Sequence, residues 1–143
     1  MIKYPRFVAI LLLIFAVYSC DTVDPNSGEP VLEIVNPVIN SNELPEILVS
    51  SERAGPVYIQ SCGRLIFAVH KLIEGQWQNY ASPICNGLHE YGFARVTNTG
   101  ESARISVNSA PSEAGTYRLA FYIADGKFGI NRQMIKLEFE VVE

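Results

Sequence analysis

AGTYRLAFYIADGKFGINRQMIKLEFEVV, residues 114–142, alternates apolar and polar positions on both sides of a short glycine-containing interruption. In its first half Tyr117, Leu119, Phe121 and Ile123 fall on one face, and Arg118, Ala120 and Tyr122 on the other. In its second half Ile135, Leu137, Phe139 and Val141 oppose Lys136, Glu138 and Glu140. A period of two sends successive side chains to opposite sides of an extended chain, so each half reads as a strand with one face for a core and one for water. Ala124-Asp125-Gly126-Lys127 has the composition of a hairpin turn between them.

The same pattern recurs upstream. VLEIV (31–35), EILVSSE (46–52), PVYIQS (56–61), RLIFAVHKL (64–72), QWQNYA (76–81), YGFARVT (91–97) and ARISV (103–107) are short runs between turn signals. A loop containing Pro37 and Pro45 parts the first two, Glu74-Gly75 turns the chain before QWQNYA, and Asn98-Thr99-Gly100-Glu101 reads as a hairpin connection from YGFARVT to ARISV. No longer stretch carries a convincing helical period. About seven to nine strands, each with one apolar face, are best buried as two packed sheets, which predicts an all-β sandwich. A closed barrel is the alternative that the same alternation would serve.

EGQWQNY (74–80), NTGESARISV (98–107) and AGTYRLAFYI (114–123), in that order, resemble bacterial immunoglobulin-like domains of exported proteins, and the resemblance covers roughly residues 45–124. Many such domains have Pro-Gly in the middle turn where this chain has Thr99-Gly100. The resemblance implies an immunoglobulin-like sandwich and brings no catalytic residues with it.

MIKYPRFVAILLLIFAVYSC, residues 1–20, begins with Lys3 and Arg6 and continues as an apolar run from Phe7 to Tyr18. The run falls short of the about 20 apolar residues of a membrane helix and reads as the hydrophobic region of a secretory signal. Val17-Tyr18-Ser19-Cys20 resembles the lipobox of bacterial lipoproteins. That resemblance implies a signal peptide over 1–19, cleavage before Cys20, a diacylglyceryl group on its thiol and a further acyl chain, such as palmitate, on the new amino terminus. Two or more chains hold a protein stably at a membrane that it does not cross. The expected location is therefore a bacterial cell envelope, with the inner or outer membrane left open by Asp21, which resembles a retention signal in one lineage only.

DTVDPNSGEP, residues 21–30, is too polar to bury a core, so 20–30 reads as a lipidated tether and 31–143 as one folded domain. The chain carries 11 basic and 15 acidic residues; removing Lys3 and Arg6 with the signal leaves 9 basic against 15 acidic, a net charge of −6. An acidic surface without a basic run argues against nucleic acid as a partner.

With Cys20 given to the lipid, Cys62 and Cys85 remain as an even pair in an oxidising compartment and are expected to form a disulfide. The Glu74-Gly75 turn lies almost midway between them, so the bridge would tie the open end of one hairpin, with Trp77 packed in the core beside it. Cys62, His70, Cys85 and His89 are the sharpest alternative as a zinc set, but 22 residues separate the cysteines where structural sites use close pairs. There is no Cys-x-x-Cys for redox work and no Gly-x-Ser-x-Gly. His70 sits within an alternating strand, where it reads as packed or surface-facing and not as a general base.

These residues point to a non-catalytic binding module, with no cofactor or metal, that recognises a protein, peptide or glycan through its loops or a sheet edge. The candidate loops are 82–90, with Ile84, Asn86 and Leu88 beside Cys85, and 125–133, with Phe128 and Ile130. Apolar residues such as the last two more often tuck under a loop than project from it. A disulfide-pinned loop would also serve a protease-inhibitor-like domain, the second reading, ahead of a hydrolase or metal enzyme.

Overall fold

The structure, a computed structural model, describes residues 28–52 and 54–143. The signal peptide at 1–19, the lipidation site Cys20 and most of the tether at 20–30 lie outside the described residues. The described residues form ten strands and no helix.

β1 (Val31–Ile34), β3 (Glu46–Ser50) and β8 (Ser102–Ser106) make an antiparallel three-stranded sheet in the order β1-β3-β8. The second sheet runs β2 (Val38–Asn40), β10 (Gln133–Val142), β9 (Gly115–Ala124), β4 (Tyr58–Cys62) and β7 (Tyr91–Arg95). The hairpin of β5 (Ala68–Ile73) and β6 (Gln76–Ala81) joins it through β9. Among the described residues no ladder connects the two sheets, so the fold is an all-β sandwich and not a closed barrel.

β9 organises the larger sheet. One of its edges pairs with β10 from Gly115 to Ile123, and the other is shared. Tyr117 to Ala120 pair with Lys71 to Ala68 of β5, while Ile123 and Ala124 pair with Ile59 and Tyr58 of β4. Its inward residues Tyr117, Leu119, Phe121 and Ile123 are buried, as the alternation predicts, against Ile47, Val49 and Val107 of the smaller layer. Burying each such side chain stabilises by about 1.5–3 kcal/mol. Tyr117 is the centre of an aromatic cluster, edge-on to Tyr80 at 5.2 Å and stacked on Phe139 at 5.7 Å. Its hydroxyl donates to the Glu113 carbonyl at 2.9 Å, and Lys71 Nζ lies over its ring while pairing with Glu113 at 2.5 Å.

Four features depart from the sequence reading. β2 lies in the Pro37–Pro45 segment expected to be a loop; its three residues run parallel to the end of β10, too short to show a period. Asn98-Thr99-Gly100-Glu101 does form a tight turn, but β7 and β8 belong to different sheets, so it is not a hairpin. Ser51 holds that crossing, its hydroxyl donating to the carbonyls of Asn98 and Glu101 while its own carbonyl accepts from Gly100 N at 2.9 Å. β5 begins at Ala68 and not at Arg64, because Gly63 at φ +71° turns the chain out of β4 and Ile66 N then bonds back to Gln60 O. Trp77 is half-buried on the outer face of the larger sheet and not in the core: opposite Leu72 in the β5–β6 ladder, it points away from Val69, and the Arg118 guanidinium stacks on its ring at 4.5 Å.

Candidate functional site

Cys62 and Cys85 are joined in a disulfide with their Cα atoms 5.7 Å apart. The bridge lies close to the open end of the β5–β6 hairpin, but Cys62 belongs to β4, whose ladder partner there is Tyr91 of β7. It therefore fastens the 82–90 loop, which leads from β6 to β7, onto the end of β4. A second clamp lies beside it. At Gly63 an added Cβ would stand 2.6 Å from His89 Cγ, so the imidazole rests directly on the glycine backbone. Both sulfurs of the considered zinc set are bonded to each other, and His70 lies on the sheet face, away from His89 in its loop.

The 125–133 loop connects β9 to β10 and is longer than the four-residue turn read from its composition. Asp125 N bonds to Ile130 O at 3.2 Å, Gly129 N to Gly126 O at 3.0 Å, and Asn131 Nδ2 to Asp125 Oδ2 at 2.8 Å. The underside of the loop is filled by Phe93 of β7. A Cβ on Gly129, whose φ is +70°, would come 2.5 Å from Phe93 Cε2. With Phe93 in that space Phe128 and Ile130 do not tuck under; they project into solvent, 81% and 62% exposed. Lys127 Nζ lies 4.9 Å from the Phe128 ring centre.

The two candidate loops start from opposite ends of the larger sheet, 82–90 entering β7 at Tyr91 beside Cys62 and 125–133 leaving β9 at Ala124 beside Tyr58, and they approach each other over β7. Glu90 from the first loop and Lys127, Phe128 and Arg132 from the second line an open groove of about 590 Å³ over Tyr91 and Phe93. Ile84 and Leu88 project from the pinned loop, 87% and 83% exposed, Ile84 beside Cys62, Gly63 and Arg64, while the Asn86 side chain is spent on its own turn, accepting from Leu88 N at 3.1 Å. Tyr91 is also exposed and accepts a hydrogen bond from Gln60 Nε2, which ties the groove to the sheet face.

β7 is the outer strand of its sheet on this side. Val96 N bonds to Val57 O and the ladder alternates from there, so the backbone groups of Tyr91, Phe93 and Arg95 face away from β4.

His70 lies half-buried on the outer face of β5 opposite Arg118. Burial holds its pKa below the ordinary histidine value, and the positive charges of Arg118 and Lys136 push the same way. A histidine used as a base is oriented by a carboxylate, whereas the charged neighbours that act on His70 are both cations. Among the described residues no group of three His, Cys, Asp or Glu side chains converges as a metal site would require.

A scan against protein-family models and searches of curated proteins and solved structures returned no match for this chain.

Proposed function

We propose that this chain is a non-catalytic, lipid-anchored interaction module of the bacterial cell envelope, an immunoglobulin-like sandwich that binds a protein partner through the surface that residues 82–90 and 125–133 build over β7. The observation that carries the proposal is the joint exposure of Ile84, Leu88, Phe128 and Ile130 on two separately braced loops. A disulfide and the His89–Gly63 contact brace one loop, and Phe93 packed on Gly129 braces the other. Bracing lowers the ordering entropy a loop loses on binding, which is how rigid loops gain affinity.

Strand layout supports the immunoglobulin-like part. β1, β3 and β8 in one sheet against β4, β9 and β10 in the other matches the division of strands A, B and E from C, F and G. Tyr117 supports it as well: a tyrosine near the start of the sixth strand of that fold donates its hydroxyl to a backbone carbonyl a few residues upstream, as Tyr117 does to Glu113 O. The disulfide departs from that pattern, since the antibody bridge joins the two sheets and this one fastens a loop at the end of a single sheet.

The test is cross-linking and capture from solubilised envelope with the native chain and with Phe128→Ala/Ile130→Ala. One partner recovered with the native chain and lost with the variant, at unchanged melting temperature, is the expected result; recovery of the same partner by both would end the proposal. The inhibitor-like reading draws on Ile84, exposed immediately before Cys85. Inhibition of a panel of proteases, abolished by Ile84→Asp, would favour it over the first.

A further inference from the structure

The outer face of the larger sheet carries a second groove, bordering the loop groove at Gln60, which donates to Tyr91, but lined by neither Phe128 nor Ile130. Three rungs of the ladder define it. Ala68 of β5 stands opposite Ala120 of β9, which stands opposite Lys136 of β10. On one side of that rung lie His70 and Arg118, and on the other Tyr122 and Met134. Two alanines between larger neighbours make a dip, and the resulting groove measures about 380 Å³, within the range of small-ligand sites.

The groove's charges are of one sign. His70, Arg118 and Lys136 line it and no carboxylate does, in a chain whose net charge is −4. Glu138 lies beyond, opposite Arg118 in the β9–β10 ladder, yet among the described residues the two form no ion pair. Arg118 Cζ lies 4.5 Å from the centre of the Trp77 ring, a cation–π contact that uses none of the guanidinium N–H donors. His70 Nδ1 and Arg118 Nε are buried without a hydrogen-bond partner, a condition that buried polar groups rarely keep. We infer that this groove binds the carboxylate of an acidic sugar, a uronate residue of an anionic glycan, with the sugar ring lying over Ala68 and Ala120.

The position on the sheet face decides between a glycan and a peptide. The backbone groups of a sheet lie in its plane, and those of Ala68 and Ala120 pair with each other's strands, so an extended peptide laid over the face would find no backbone partner for its own amides. A sugar needs none. Its hydroxyls can keep their water and its C–H face lies against Tyr122 and Met134, while the carboxylate meets Arg118, Lys136 and His70. His70 faces Arg118 on β9, Lys136 on β10 and the uncharged Asn79 on β6. A bound carboxylate would offset the two cations and favour the protonated imidazole, so binding takes up a proton and tightens as pH falls.

The inference rests on the chain being a binding module but on a different surface, and the test separates the two. The full chain in detergent is titrated with tetragalacturonate, with its methyl ester and with a tetraglutamate peptide, by calorimetry and by NMR. Expected are binding of tetragalacturonate, at least about a tenfold loss for the ester and for Arg118→Ala or Lys136→Met, and no loss for Phe128→Ala/Ile130→Ala. Shifts should centre on Ala68 and Ala120. Affinity should rise from about pH 8 to about pH 5.5, and His70→Gln should flatten that rise while binding at high pH persists. No binding, equal binding of the ester, equal binding of tetraglutamate, or shifts confined to 125–133 would each overturn the inference. Lys136 is exposed, so its variant remains informative if Arg118→Ala fails to fold.

Discussion

Removing the Cys62–Cys85 bridge by the double substitution Cys62→Ala/Cys85→Ala tests how the 82–90 end is held. The bridge spans 23 positions. In the chain-entropy picture, a loop of that length withholds about 11.4 cal/mol/K from the unfolded chain, so the bridge contributes about 3.4 kcal/mol at 25 °C. Unfolding entropy of about 2.1 cal/mol/K per residue over the 113 residues from Val31 to Glu143 turns this into a fall in Tm of about 14 °C. Alanine is the appropriate replacement because Cys62 is buried, and a serine hydroxyl there would add a desolvation cost of its own. Scanning calorimetry of the oxidised native chain, the reduced native chain and the double variant gives the answer. The two bridge-free samples should melt together, well below the oxidised one. A fall smaller than about 3 °C would refute the reasoning, because the restraint would then act on a chain already confined by other contacts.

Tyr117→Phe removes the hydroxyl that donates to Glu113 O while keeping the buried ring, and urea titration should show a loss of about 1–3 kcal/mol. Gly129→Ala meets both the left-handed backbone at φ +70° and the Phe93 ring, so it should destabilise by more than the about 1–2 kcal/mol of the backbone term alone. Partner capture should weaken with it as the 125–133 loop shifts. Burial depresses the pKa of His70, so the unfolded chain binds its proton first on acidification. Stability from this group is full above the unfolded value near about 6.5 and is lost as pH falls through the lower folded value, and Tm plotted against pH should lose that slope in His70→Gln.

Strands were legible wherever the apolar period was long enough to repeat. TYRLAFYI and MIKLEFEVV lie within β9 and β10, and QWQNYA coincides with β6. The Glu74-Gly75 turn was legible because both residues take positive φ, 49° and 78°, as a two-residue hairpin turn requires. The disulfide was legible from cysteine arithmetic. β2 was not, since three residues carry no period and only the neighbouring end of β10 makes them a strand. The position of Trp77 was missed because an aromatic in an alternating strand is assigned to the core by default, and no local signal told which face Arg118 would occupy. The cationic groove was missed for a related reason: His70, Arg118 and Lys136 lie on three different strands and become neighbours only through register.

What the sequence determined alone was local: extended chain, one wet and one dry face per strand, turns, and a cysteine pair with a hairpin turn midway between them. Those properties follow from spacing within a few residues, where sterics and side-chain alternation act directly. Tertiary structure decided which strands are neighbours. It sent β8 to the opposite sheet from β7 across a turn that reads like a hairpin, and it divided one edge of β9 between β4 and β5. It left Phe128 and Ile130 in water because Phe93 already fills the space beneath them. Pairing of that kind is settled by burial summed over residues far apart in the chain, and so no short stretch contains it.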